Sequence, residues 1–261
     1  TNMGTVNIDN TTDHGLNNNG GIFLNEGNIE IGQIANIGSK GLRNTGTFTN
    51  ESGGINIDRT GENALGQNGG TFTNKATINI GQLGTIAFPG IENFSTFNNE
   101  SGEINIDNTP IGFSNANSGV FTNKTTANFF IGKNGGANNI GNDGIRNQGT
   151  FTVEGGIVSI DNTTGDGLNN DGGIFTVESG IVSIDDTDQR GITNDGGTII
   201  IESTLHIGKN GIANSINQNG IFNTASGTLT VANTGLLTVD NTLFSGINNA
   251  ATVTNEGNIE I

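Results

Sequence analysis

The stretch Gly41-Leu42-Arg43-Asn44-Thr45-Gly46-Thr47-Phe48-Thr49-Asn50-Glu51-Ser52-Gly53-Gly54-Ile55-Asn56-Ile57-Asp58 comes back along the whole chain. Gly144 to Asp161 reads almost the same way, and Gly167 to Asp185 repeats it again, at a period of about 25 residues. Self-similarity at this spacing is the signature of a solenoid, a propeller or an array.

Two markers hold the register. The first is an apolar-x-apolar pair followed by Asp or Gly. It ends at Ile8, Ile31, Ile57, Ile80, Ile106, Ile131, Ile160, Ile184, Ile207, Val231 or Val239, and Ile261. The second is a Phe flanked by Thr or a similar residue: Phe23, Phe48, Phe72, Phe97, Phe121, Phe151, Phe175 and Phe222. Ile199 or Ile200 fills that slot once, and Val253 once. Most steps span 23 to 26 residues, and two longer ones, near 131–160 and 231–261, predict residues looping out of the coil. The first endings alternate between Asp (Asp9, Asp58, Asp107) and Gly (Gly32, Gly81, Gly132). Ile8, Ile57 and Ile106 therefore fall 49 residues apart, and the underlying unit reads as a pair of coils.

Inside one coil the apolar residues alternate with polar ones, as in Ile55-x-Ile57 and Val182-x-Ile184, which is the strand period. Thr47-Phe48-Thr49 puts one ring on one face and two hydroxyls on the other. Gly-Ile/Leu-x-Asn supplies a third short strand, and clusters of Gly, Asn, Asp and Ser between strands carry turn chemistry. No helical period appears. The expected fold is all-β: a parallel β-helix, right-handed and roughly three-sided, forming one domain over residues 1–261. About ten rungs stacked at about 4.8 Å make a rod about 50 Å long. The six-residue repeat of the left-handed hexapeptide type is absent. A propeller would call for longer blades and bulky aromatic anchors, and Trp and Tyr are missing.

Asn occurs 45 times. The expectation is that asparagines sit in turns, where the left-handed conformation suits them, and stack as amide ladders from rung to rung. A ligand-binding Asn surface is the alternative. The Asn-Gly pairs beginning at Asn19, Asn68, Asn134, Asn210 and Asn219 fit such turns.

Only 31% of the chain is hydrophobic, which suffices for a solenoid because each rung contacts only its neighbours. There is no Cys, hence no disulfide and no thiolate chemistry. The net charge of −16 disfavours nucleic-acid binding, and no apolar stretch is long enough to insert in a membrane.

Candidate chemistry is sparse. His14 and His206 lie on different rungs, and His206 in Leu205-His206-Ile207 reads as outward filler. Gly132-Lys133-Asn134-Gly135 and Gly208-Lys209-Asn210-Gly211 lack the phosphate-loop Ser/Thr and read as turns. No cofactor is implied, with one reservation: Asp161 and Asp185 occupy the same slot on neighbouring rungs, about 5 Å apart. Stacked carboxylates repel unless a proton or cation lies between them, which makes the pair a candidate Ca²⁺ site. A polysaccharide-active enzyme would need a cleft holding Asp185, Asp186 and Arg190; the expectation is that the chain is not an enzyme.

Thr47/Thr49, Thr71/Thr73 and Thr150/Thr152 form Thr-x-Thr pairs in one column, a candidate flat hydroxyl face. Regular Thr arrays on β-solenoids resemble ice-binding proteins. The column breaks where Thr96 pairs with Asn98, Val120 with Thr122, Ile174 with Thr176, Thr198 with Ile200, and Ile221 with Asn223. Ice binding is therefore the alternative reading.

The pattern Gly-x-Phe-Thr-Asn-x-Gly-x-Ile-x-Ile, present over essentially the whole chain, resembles the repeat regions of bacterial surface adhesins and secreted haemagglutinin-like proteins. The resemblance implies an extracellular or cell-surface stalk, adhesin or fibre, with cell-surface glycans among its partners; it carries over no binding residues. Thr1 to Ile8 and Thr254 to Ile261 share one phase of the coil, with no capping repeat at either end. The expected working parts are thus the strand edges at Val6, Asn7 and Ile8 and at Ile259, Glu260 and Ile261. They would pair head to tail with another copy or with neighbouring repeats of a longer chain.

Overall fold

The computed structural model describes residues 1–133, 139–209 and 215–261. Each rung gives one strand to each of three parallel sheets. The first sheet has 11 strands, from Thr5–Ile8 to Asn258–Glu260. The second and third have 10 each, running from Leu16–Asn18 to Ile247–Asn249 and from Ile22–Asn25 to Thr252–Asn255. Among the described residues there is no helix. The fold is the expected three-sided β-solenoid.

Register follows the alternation. In the first sheet Ile55 pairs with Ile78 and Ile78 with Ile104; in the third, Phe48 pairs with Phe72 and Phe72 with Phe97. A one-residue slip would turn every such side chain outward, so burial fixes the pairing. Each fully buried Ile or Phe contributes about 1.5–3 kcal/mol, and these columns make one continuous core. Phe23, Phe48 and Phe72 stack with centroids 4.8 Å apart and planes within 7° and 4°. Farther on, Phe113 from the second sheet and Phe129 from the first reach in, and the Phe97–Phe121 step tilts to 41°.

Phe222 does not belong to this column. It lies on the second sheet in Ile221–Asn223, facing outward under the Arg190 guanidinium. Leu229 takes the inward slot, between Ile199 and Val253. The cause is a displaced frame. Val231 belongs to the third sheet and Val239 to the first, so the second long step runs from Ile207 to Val239 rather than over 231–261.

The amide ladders are present, but at inward-facing strand ends rather than in the turns. Where the second sheet turns into the third, Asn147 Nδ2 donates to Asn170 Oδ1, Asn170 to Asn194, Asn194 to Asn223 and Asn223 to Asn249, each at 2.8 Å. Gln67 replaces Asn once and accepts from Asn44. A second column, from Asn2 through Asn25, Asn50, Asn74 and Asn99 to Asn123, lies where the third sheet turns into the first. It then gives way to Val153, Val177, Ile201 and Val231. These amides also cap turn carbonyls, as Asn44 Nδ2 caps Gly46 O and Asn25 Nδ2 caps Gly27 O. Side chains thereby satisfy backbone groups that leave the sheet ladders at the corners. The left-handed non-glycine positions are others: Asn10, Arg59, Asn108, Asn162, Asp186 and Asn241. Asn134, Gly135, Asn210 and Gly211 lie outside the described residues.

Candidate functional site

The third corner, from the first sheet to the second, explains the alternation of Asp and Gly. In a Gly rung the left-handed residue is the glycine itself, as at Gly32, Gly81, Gly132 and Gly208; in an Asp rung it is the residue after the Asp. Each of these glycines lies against the backbone carbonyl of an Asp on the next rung: Asp58, Asp107, Asp161 and Asp240. A β-carbon has no room there. After Gly32 and Gly81 the chain makes a longer excursion before rejoining the corner at Ile37, which bridges to Thr60, and at Ile86, whose amide donates to Asn108 O, whereas Asp58 and Asp107 reach Thr60 and Thr109 in a tight turn.

The Asp carboxylates hold these excursions. Asp9 Oδ1 accepts from the Ile34 and Ala35 amides, and Asp58 Oδ1 from those of Leu83 and Gly84. Gln33 and Gln82 reach forward to Asp58 Oδ2 and Asp107 Oδ2. The left-handed residue ties back: Asn108, Asn162 and Asn241 donate to the carbonyls of Gly81, Gly132 and Gly208. Arg59 spans Gly32 O, Gln33 O and Leu83 O across a pocket of about 360 Å³ lined by Ile37, Thr60 and Thr85.

Asp161 and Asp185 are where this scheme breaks, because two Asp rungs follow each other. The register Ile160↔Ile184 puts them in the same slot on adjacent rungs. No excursion follows Asp161 on the next rung; among the described residues no pair of loop amides reaches its carboxylate, and Oδ1 accepts from the Asn162 amide, at 2.9 Å. Burial, then repulsion from Asp186, raises its pKa to about 6, with Asp185 adding to the rise. Asp186 takes the left-handed position that elsewhere carries a donor. Asp185 Oδ2 accepts from Ser183 Oγ. Among the described residues no group of three or more His, Asp or Glu is arranged to hold a metal ion.

Among the described residues Arg190 pairs with Asp166. Its Nη1 lies 3.8 Å from Asp166 Oδ2, just ahead of two neighbouring strands of the second sheet. Asp166 is buried, which raises its pKa, and it accepts from Thr193 Oγ1 and the Arg190 amide. His206 is buried rather than exposed filler: Lys209 lies over it, with Nζ 2.9 Å from Nε2, and burial lowers its pKa.

The Thr-x-Thr column lies on the third sheet. Thr47, Thr49, Thr71, Thr73, Thr150 and Thr152 all alternate outward, in register with their neighbours. Ile221 and Asn223 are not part of it; their rung presents Thr228 and Thr230, followed by Thr252 and Thr254. The break expected at Thr96/Asn98 is where Thr73 loses its Thr neighbour. Thr73 pairs with Thr49 on one side but with Asn98 on the other, so the run of hydroxyls in its rank stops there and resumes at Thr122. Thr73 is also half-buried rather than exposed, as are Thr49, Thr71, Thr150 and Thr152, whereas Thr47 is exposed. The cause is the close stacking of rungs: each strand's outward side chains lean on those of the strands above and below.

At the two ends, among the described residues, Val6, Asn7 and Ile8 pair with Ile29, Glu30 and Ile31 on one side. Ile259 and Glu260 pair on one side with Leu237 and Thr238, and Ile261 is exposed. No protein-family model, curated protein or solved structure matches the chain.

Proposed function

We propose that the chain is a non-enzymatic structural element: a rigid β-solenoid rod serving as an extracellular stalk or fibre segment, lengthened by further rungs of the same repeat. One observation carries the reading. The rung is a complete mechanical unit, paired in register in all three sheets and tied internally by an amide column whose bonds all run the same way, Nδ2 of one rung to Oδ1 of the next. Such a column accepts growth only head to tail, because a reversed rung would set donor against donor. Solenoid stability of this kind grows with each nearest-neighbour interface.

The working edges are those at Val6, Asn7 and Ile8 and at Ile259, Glu260 and Ile261. Stacking Asn7 on Glu260 has an internal precedent, since Asn56 Nδ2 donates to Glu30 Oε1 at 2.9 Å. A second copy seated directly by these strands would leave the second and third sheets one strand short, as the first sheet has 11 strands and the others 10. Rungs that continue the phase fill all three, so the rung is the unit of growth. Electron microscopy of the purified protein at neutral pH, with and without Ca²⁺, tests the reading. Straight rods or fibres of constant width are expected; round particles or irregular aggregates would contradict it.

A further inference from the structure

The third sheet presents an outward face unlike the other two. Its two ranks of side chains, one on each side of the buried Phe column, are Thr at most positions. The exceptions are Ile22, Leu24, Asn98, Val120, Ile174 and Ile200. No charged residue stands in either rank, although the chain carries 25 acidic and 9 basic residues. The second sheet, by contrast, exposes Arg43, Glu92 and Arg146, and the first exposes Glu30, Glu103 and Glu260.

The hydroxyls of this face are unspent. Among the described residues, none of its Thr Oγ1 atoms makes a hydrogen bond within the protein. Thr60, Thr109 and Thr163 at the third corner, by contrast, each bond a backbone carbonyl two residues on. The array is also fixed in space. The Phe rings beneath it, from Phe23 to Phe175, step at 4.5 to 5.6 Å, the strands pair in register, and Thr is stiff at χ1. Along each strand the two ranks stand about 7 Å apart, two residues of rise. Where Asn98 interrupts the rank after Thr73, the replacement is still uncharged and hydrogen-bonding.

We propose that this face is a second functional surface, and that its ligand is ice. An uncharged array of free hydroxyls and methyls repeating at about the strand spacing suits a partner that is itself periodic and made of hydrogen-bonding groups. The face offers no aromatic ring for a sugar to stack on and no aromatic or Arg anchor of the kind that concentrates affinity in protein interfaces. A water lattice needs neither. The excursions around Ile34 and Leu83 leave from the opposite, third corner, so they do not obstruct it.

The test partitions the purified chain between growing ice and liquid and follows ice-crystal shape and thermal hysteresis. Two outward substitutions on one rung are compared: Thr152→Arg on this face and Ser159→Arg on the first sheet, with Thr122→Tyr as a second face variant that suits a strand. Circular dichroism melts confirm folding. Expected is incorporation into ice with faceted crystals, at least tenfold weaker in Thr152→Arg and Thr122→Tyr and unchanged in Ser159→Arg. Failure of the unaltered chain to enter or shape ice would overturn the proposal, as would equal activity in all three variants. So would adsorption to crystalline polysaccharide in place of ice, or a dimer that Thr152→Arg dissociates.

Discussion

Gly81, in the left-handed conformation at φ 72°, lies with its Cα against the backbone carbonyl of Asp107 on the next rung. The same contact joins Gly32 to Asp58, Gly132 to Asp161 and Gly208 to Asp240. The alternation of coil endings is therefore a packing rule between rungs: a wide turn nests on a tight one.

Replacing Gly81 by Ala combines a strained φ with a clash against backbone that cannot move aside, and is expected to destabilise the fold by about 3 kcal/mol or more. Gly54→Ala is the control. Its φ is ordinary and its nearest neighbours are 3.6 and 3.8 Å away, so it is expected to be neutral or slightly stabilising. Urea titration of both variants decides; equal midpoints would refute the rule.

Arg59 and Asn108 occupy equivalent left-handed positions, and both donate to the preceding glycine's carbonyl. Arg59→Asn should therefore keep that bond and change stability by less than about 1 kcal/mol. Arg59→Val loses three donations and forces a β-branched residue into positive φ; about 2–3 kcal/mol of destabilisation is expected. Thermal melts of the pair measure the difference.

The polar column ending at Asn123 gives a further test. Asn99 accepts from Asn74 and donates to Asn123 and to Asn128 O. Asn123 accepts from Asn99 and donates to the Ala127 and Gly155 carbonyls, with Val153 on its far side. Asn99→Val and Asn123→Val each break three buried or part-buried bonds, so each is expected to destabilise the fold by about 2 kcal/mol or more. Chemical denaturation that leaves either variant as stable as the unaltered chain would show that the column does not hold the rungs together.

Asp161 ionises near 3.8 in an unfolded chain and at about 6 in the fold. Between these values folding takes up a proton, so this side chain makes the fold less stable as pH rises through that window. Asp161→Asn removes the dependence while keeping an oxygen for the Asn162 amide. The variant is expected to exceed the unaltered chain at pH 7 by an amount on the order of 1 kcal/mol after solvent screening. The gap should close below about pH 4. A gap of equal size at pH 4 and pH 7 would mean that the charge at Asp161 is not its source.

Most of the architecture was readable from local pattern. The Phe and Ile columns alternate with polar residues at the strand period, so the sheets and their register follow from burial alone. The places that resisted reading depend on contacts between rungs. Phe222 looked like a column member because its local sequence resembles one; the long step from Ile207 to Val239 shifts it to the second sheet. Ladder asparagines such as Asn50 and turn asparagines such as Asn162 are the same residue type. What separates them is whether a neighbour's amide or a glycine's carbonyl stands opposite. His206 alternates outward as expected and is nonetheless buried, because Lys209 from the following turn lies over it.

The central claim, that rungs in phase make one continuous rod, is most directly tested by a fusion in which Ile261 is followed by residues 9–261 of a second copy. Thr254 to Ile261 then stand in for Thr1 to Ile8 of that copy, and every sheet continues without a gap. Electron microscopy of the fusion is expected to give single straight rods of about 100 Å, twice the about 50 Å of one copy at the strand spacing. Two short rods joined by a bend at variable angles would contradict it.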